Sequence, residues 1–156
     1  MGRQEGQIWM GGERVEVEIL GEATDEAVAA FGRLVPQLSR SAPPLTSADI
    51  ARILAAEAIT VLIARCEGTI AGMLTLVMFP LPTGQRAWIE DVVVDEKFRG
   101  RGAGEELTMA AIRIASAAGA RTVDLTSRPE REAAGRLYER TGFKQRNSRV
   151  YRYGAG

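Results

Sequence analysis

The run Val15-Glu16-Val17-Glu18-Ile19-Leu20 alternates apolar and acidic side chains with the two-residue period of a strand that buries one face. Beyond it the period lengthens. Thr24 or Asp25 can cap a helix that carries Ala27, Val28, Phe31, Leu34 and Val35 on its inner side. Ser41-Ala42-Pro43-Pro44 interrupts the chain, and Thr46-Ser47-Ala48-Asp49 starts a second helix with Ile50, Ile53 and Leu54 inward. Two apolar, β-rich runs follow, 60–66 and 69–79, with Glu67-Gly68 between them as a hairpin turn. Residues 80–84 read as a loop and 85–94 as a strand, whose end Val92-Val93-Val94 implies burial on both faces. From Gly104 to about Ala118 the apolar positions Leu107, Ala110, Ala111, Ile114 and Ala118 recur at helical spacing, and Gly119 stops them. A short strand over 122–126, a helix over 131–140 and an extended stretch over 144–153 complete the pattern. Residues 1–12, with four glycines and little periodicity, read as a flexible N-terminal arm. The remainder, 13–153, reads as one mixed α/β domain in the order β-α-α-β-β-β-α-β-α-β.

Composition narrows the chemistry. A chain of 156 residues suffices for one core. No apolar run approaches the roughly 20 residues that span a bilayer, so no membrane is expected. The first residues lack a secretory pattern, which makes the cytoplasm the expected location. There is no histidine and one cysteine, Cys66. A Ser-His-Asp triad, a Cys-His pair and an imidazole zinc site are therefore impossible, and no metal is expected. Cys66 lies in an apolar run and reads as a packed thiol. Proton transfer must fall to Glu, Asp, Tyr, Lys or water. The net charge is zero, yet residues 1–94 sum to −5 and residues 95–156 to +5, which hints at an anionic ligand for the second part. Nucleic acid is not expected, for want of a dense basic run with interleaved aromatics.

The most informative segment leads from Val92-Val93-Val94 through Asp95-Glu96-Lys97-Phe98 into Arg99-Gly100-Arg101-Gly102-Ala103-Gly104 and then a helix. Unpaired amides at a helix start point outward, and the macrodipole adds about half a positive charge there. Glycine allows close approach and positive φ, and Lys97, Arg99 and Arg101 add full charges. Such a turn can cradle a pyrophosphate. A P-loop would need Gly-Lys-Ser or Gly-Lys-Thr after a longer spacer, and a dinucleotide fingerprint would need glycine where Glu105 stands. The arrangement met here is Arg-x-x-Gly-x-Gly, at Arg99, Gly102 and Gly104.

Residues 99–104 resemble the acetyl-CoA signature of the GNAT superfamily of N-acetyltransferases, placed between the fourth strand and the long helix. Leu125-Thr126-Ser127-Arg128-Pro129, Arg131-Glu132-Ala133-Ala134 and Leu137-Tyr138-Glu139-Arg140-Thr141-Gly142-Phe143 are similar to the second conserved block of that family. The resemblance implies a single-domain GNAT-like α/β fold with a mixed sheet of six to seven strands, splayed between strands 4 and 5, and about four flanking helices. It implies acetyl-CoA as cosubstrate, with backbone and side-chain contacts from Arg99, Gly100, Arg101, Gly102, Ala103 and Gly104. The pantetheine arm would add to strand 4 along Val92, Val93 and Val94 as an extra strand does, and a backbone N–H near Val92 would polarise the thioester.

Tyr138 aligns with the tyrosine that protonates the departing CoA sulfur in many relatives, and this implies a general-acid role; a core tyrosine is the other role open to it. Glu90 and Asp91 precede the three valines, a pattern similar to that of spermidine/spermine acetyltransferases, which use acids there for the amine. Strand alternation puts Glu90 on the face of Val92 and Val94, and Asp91 on the opposite one. Glu90 is then the expected base, through water, and Asp91 the group that holds the substrate cation or orients a neighbour. A β-bulge would exchange these roles, and pairing with an arginine is the other role open to Glu90. Arg128 stands where many relatives carry Asn; it cannot accept a hydrogen bond, but it can reach a phosphate. The acceptor, a small-molecule amine by expectation, would lie among helices 1 and 2 and their loop, with Gln37, Ser39, Arg40 and Ser41 as candidate contacts and Trp88 in an apolar wall. Acylation of a protein N-terminus or lysine, and an acyl-CoA-binding module without turnover, are the alternatives. Dimers are common among relatives, and the last extended segment offers an edge for one.

Overall fold

The computed structural model describes residues 15–154; the arm expected over 1–12 lies outside the described residues. They fall into two compact units, the first running to Thr126 and the second starting at Ser127.

The first unit holds β1 (Val15–Ile19), α1 (Asp25–Leu38), α2 (Ser47–Ala55), β2 (Ile59–Cys66), β3 (Thr69–Leu81), β4 (Gly84–Val94), α3 (Ala103–Ala117) and β5 (Thr122–Asp124). Its five strands form one sheet in sequence order, antiparallel except for the parallel pair β4–β5. Val15 and Val17 are buried while Glu16 and Glu18 are not, as the alternation requires. Arg65 on β2 ties this edge to α1, its Nε 2.7 Å from Glu18 Oε1 and its other nitrogen 2.6 Å from Glu26 Oε1. Thr24 caps α1 through the Ala27 amide, and Thr46 and Asp49 form a reciprocal capping box on α2. Ala27, Ala30, Phe31, Leu34 and Ile50 pack on Val61, Ile63, Ile70, Met73 and Val93, so α1 and α2 cover one face of the sheet. Alternation sends Leu62, Leu74 and Leu76 to the opposite face, where α3 packs with Leu107 and Ala111 buried.

Glu67 (φ 52°) and Gly68 (φ 78°) are both left-handed, as a two-residue turn between twisted strands demands. The loop expected over 80–84 shrinks to Pro82-Thr83, because the β3–β4 ladder runs on to Leu81 opposite Gly84. Gly84 permits this with φ +124°, and a Cβ there would sit 2.5 Å from Arg121 Cδ.

The second unit contains α4 (Glu132–Arg140), followed by a turn in which the Phe143 amide donates to the Tyr138 carbonyl at 2.9 Å. Residues 144–153 join no ladder, with Val150, Tyr151 and Tyr153 at 72, 87 and 94 % exposure. The sheet therefore has five strands among the described residues, not six to seven. The extended stretch has strand-forming residues, but β propensity expresses itself only against a partner strand. Among the described residues there are four α-helices, in line with the expected number of about four.

Candidate active site

The expected site residues of the first unit lie on one continuous stretch, from β4 through the glycine turn into α3. On β4 the ladder contains a bulge. Thr75 pairs with Glu90 and Met73 with Val93, so two steps on β3 answer three on β4, and Asp91 adopts φ 51°. Glu90 and Val93 thereby share the face of the α1–α2 core, to which Met73 and Val93 belong. Val94 pairs with Gly72 on the α3 side, where an added Cβ at Gly72 would meet Leu107 Cδ1 at 3.3 Å. The simple alternation, with Glu90 on the face of Val94, is thus corrected: the inserted residue reverses the phase of everything after it. Glu90 is exposed and accepts a 2.8 Å hydrogen bond from the Trp88 indole, while Asp91 is exposed at the bulge.

The parallel ladder between β4 and β5 contains three pairs, Arg86 with Thr122, Ala87 with Val123 and Trp88 with Asp124. β4 continues to Val94 with no ladder partner on that side among the described residues. Among the described residues, its edge from Ile89 onward on that side is thus not taken up by a strand of the sheet. Arg99 already reaches back to it, its Nε donating to the Val94 carbonyl at 3.2 Å.

A 3₁₀ turn over Glu96–Phe98 follows, capped by Asp95, whose Oδ1 accepts the Lys97 amide at 3.2 Å. Gly100 (φ 80°) and Gly102 (φ 87°) then turn the chain through the left-handed region that glycine tolerates best. Gly102 is the N-cap of α3 and, having no side chain, makes no capping hydrogen bond to the helix's first amides. Arg101 pairs with Glu67 at 3.0 Å and lies 5.3 Å over the Phe98 ring, which fixes one cation beside the turn; Lys97 and Arg99 are exposed.

Glu106, which the sequence reading passed over, is 3 % exposed and leaves Oε2 without a hydrogen-bond partner. Burial pushes its carboxyl above the usual range, opposed by Arg113 and reinforced by Glu105. The available signal was its helical phase with Ala103 and Ala110. Gln37 does not stand open for an acceptor. Its side chain is engaged with Arg33, Asp95 and Glu96. Ser39 and Ser41 approach one another at 3.4 Å, and Arg40 is exposed.

In the second unit, Tyr138 is half-buried on α4 with its ring edge-on to Phe143, centroids 5.8 Å apart. Burial pushes its phenol above 10, with Arg131 pulling the other way, so the neutral, proton-carrying form is favoured. Arg128 is exposed, and its carbonyl accepts the Arg131 amide at 3.0 Å.

A mixed sheet with a bulged fourth strand, a short parallel fifth and a glycine turn into the helix behind it defines an α/β domain of the N-acetyltransferase type. The chain belongs to the Acetyltransferase (GNAT) family, whose model matches residues 22–143. Among solved structures it is similar to an acetyltransferase from Trypanosoma brucei, with 28 % identity, a TM-score of 0.73 and coverage of 90 % of this chain and 99 % of that one. An aminoglycoside N-acetyltransferase solved in complex with CoA shares the fold at 19 % identity and TM-score 0.76, over 93 % of this chain and 97 % of that one. N-alpha-acetyltransferase 30 of Schizosaccharomyces pombe is 35 % identical over 71 residues, which are 46 % of this chain and 47 % of that protein. The chain thus spans about half the length of that curated relative.

Proposed function

We propose that this protein transfers the acetyl group of acetyl-CoA to the primary amine of a small molecule by direct attack of the amine on the thioester. The observation that carries the reading is the juxtaposition, on one stretch of chain, of the open β4 edge and the uncapped amides at the start of α3. An extended arm that ends in a pyrophosphate matches that pair: the arm adds to the strand and the phosphates meet the amides of 99–104.

The chemistry then falls to few groups. A backbone N–H of the bulged strand near Val92 polarises the thioester carbonyl. The bulge opens an exchange of the two carboxylates' roles, but Glu90 lies on the α1–α2 face, the expected acceptor side, beside Trp88, and so keeps the base role: it takes the amine proton through water, and Asp91 at the bulge holds the substrate cation. The amine attacks the carbonyl carbon, the carbon–sulfur bond breaks, and Tyr138 delivers its phenolic proton to the leaving sulfur. Arg99 and Arg101 supply cationic charge beside the phosphates, and Arg128 adds a further cation for them.

A second reading has its own support: the likeness to N-alpha-acetyltransferase 30 covers nearly half of this chain and favours a peptide N-terminus as acceptor. One assay separates the readings. Acetyl-CoA consumption is followed with a panel of polyamines, aminoglycosides, amino acids and short peptides, with Tyr138→Phe as the blank. Turnover with a small amine above that blank supports the first reading, turnover confined to peptides the second, and none with any amine overturns both.

A further inference from the structure

We infer that Gln37, at the end of α1, is a positioning residue for the glycine turn, latching the helix on the acceptor side to the segment that presents the phosphate-binding amides. The inference rests on the reading of that turn as the acetyl-CoA cradle. Gln37 Nε2 donates to the Arg33 carbonyl at 3.1 Å and to Asp95 Oδ1 at 3.4 Å. Its Oε1 accepts the Glu96 amide at 3.0 Å. The orientation of the amide is forced, since a carboxylate only accepts and a backbone N–H only donates. Both ends of one side chain are thus committed to two consecutive residues, 58 and 59 positions further along the chain.

Those two residues are the last fixed points before the turn. Asp95 is 5 % exposed, and its amide donates to the Ala71 carbonyl of β3 at 2.7 Å. Its carbonyl accepts the Phe98 amide at 2.8 Å and its carboxylate caps the Lys97 amide. From Glu96 to Gly102 the chain belongs to no ladder and no α-helix, and it contains two glycines in the left-handed region. A segment with so few internal constraints takes its position from its anchors, and binding groups lose effect when displaced by about half an ångström. β3 supplies one anchor through Ala71. Gln37 supplies another, from a different element, in addition to the side-chain ties of Arg99 to Val94 and Arg101 to Glu67.

The test uses the full chain with Gln37→Met, which keeps length and packing but removes the hydrogen bonds, and Gln37→Glu, which keeps an acceptor for the Glu96 amide but sets a carboxylate against Asp95. Acetyl-CoA affinity is measured by calorimetry, amine KM and kcat by steady-state kinetics, and amide exchange at 96–102 by hydrogen–deuterium mass spectrometry. Gln37→Met is expected to weaken acetyl-CoA binding about 5- to 10-fold, with Gln37→Glu weaker still. Exchange at 96–102 should quicken while amine KM and kcat at saturating cofactor change less than about 2-fold. A Gln37→Met protein that binds acetyl-CoA as the wild type does overturns the inference. So does a parallel rise in cofactor Kd and amine KM, which would mark a general loosening of α1. A wild type that itself binds no acetyl-CoA overturns the reading of the turn, and this inference with it.

Discussion

Tyr138 and Glu106 are two side chains whose burial acts on their protons in the same direction and with opposite consequences. Burial favours the neutral phenol of Tyr138, which is the form a general acid needs. Its folded pKa lies above the ordinary 10, so the phenol stays protonated throughout the neutral range and loses its proton only as pH rises through that raised value. Wild-type kcat should therefore hold to about pH 10 and fall beyond it. In Tyr138→Phe kcat should drop about 100-fold, the alkaline fall should vanish, and acetyl-CoA affinity should not change. Full turnover in the variant across the pH range would remove Tyr138 from the mechanism. For Glu106 the same shift is a liability. The folded protein binds its proton more tightly than the unfolded chain, whose carboxyl titrates near 4.5. Stability is thus lost as pH rises from that value through the folded one, and the loss persists above it. Glu106→Gln keeps the shape without the charge, so its melting temperature should match the wild type at about pH 4 and exceed it by about 2–4 °C at about pH 8. A pH-independent difference would show that ionisation is not the cause.

At the scale of elements, the site depends on two local departures from regular structure, the β4 bulge at Asp91 and the glycine turn before α3. The turn was legible in the sequence, because three glycines in five residues between an apolar strand and a helix interrupt both periods and supply the positive-φ freedom that a tight turn needs. The bulge was not. Glu-Asp-Val-Val-Val has no residue that marks an insertion, and Asp91 takes its left-handed backbone only because β3 fixes the register on either side. The face of Glu90 had to be misassigned from alternation alone. The helices and β1 to β3 were readable for the opposite reason, since Thr24, Thr46 and Asp49 cap locally and Glu67-Gly68 turns locally. Gln37 shows the limit most plainly, as two of its partners, Asp95 and Glu96, lie far along the chain and no local pattern points to them. A test at this scale is Gly102→Val. A side chain at φ 87° costs about 1–2 kcal/mol, so thermal stability should fall modestly, while acetyl-CoA affinity should fall at least about 10-fold because the amides of α3 are re-aimed. Equal loss of stability and unchanged affinity would show that the turn does not hold the ligand.

For the whole molecule, the division of charge gives the binding reaction a direction. The part of the chain from Asp95 onward sums to +5 against −5 for the part before it, and the turn stands at the start of the basic portion. An anionic cofactor should therefore bind more weakly as salt is raised, in proportion to the exposed cations it meets. The most direct measurement of the central claim compares two ligands by calorimetry at one salt concentration: acetyl-CoA, and acetyl-pantetheine, which has the same thioester and arm but no pyrophosphate. If the amides of residues 99–104 hold the pyrophosphate, acetyl-CoA should bind with clear heat and acetyl-pantetheine at least about 100-fold more weakly. Equal affinity for the two, or no heat with acetyl-CoA, would contradict the account.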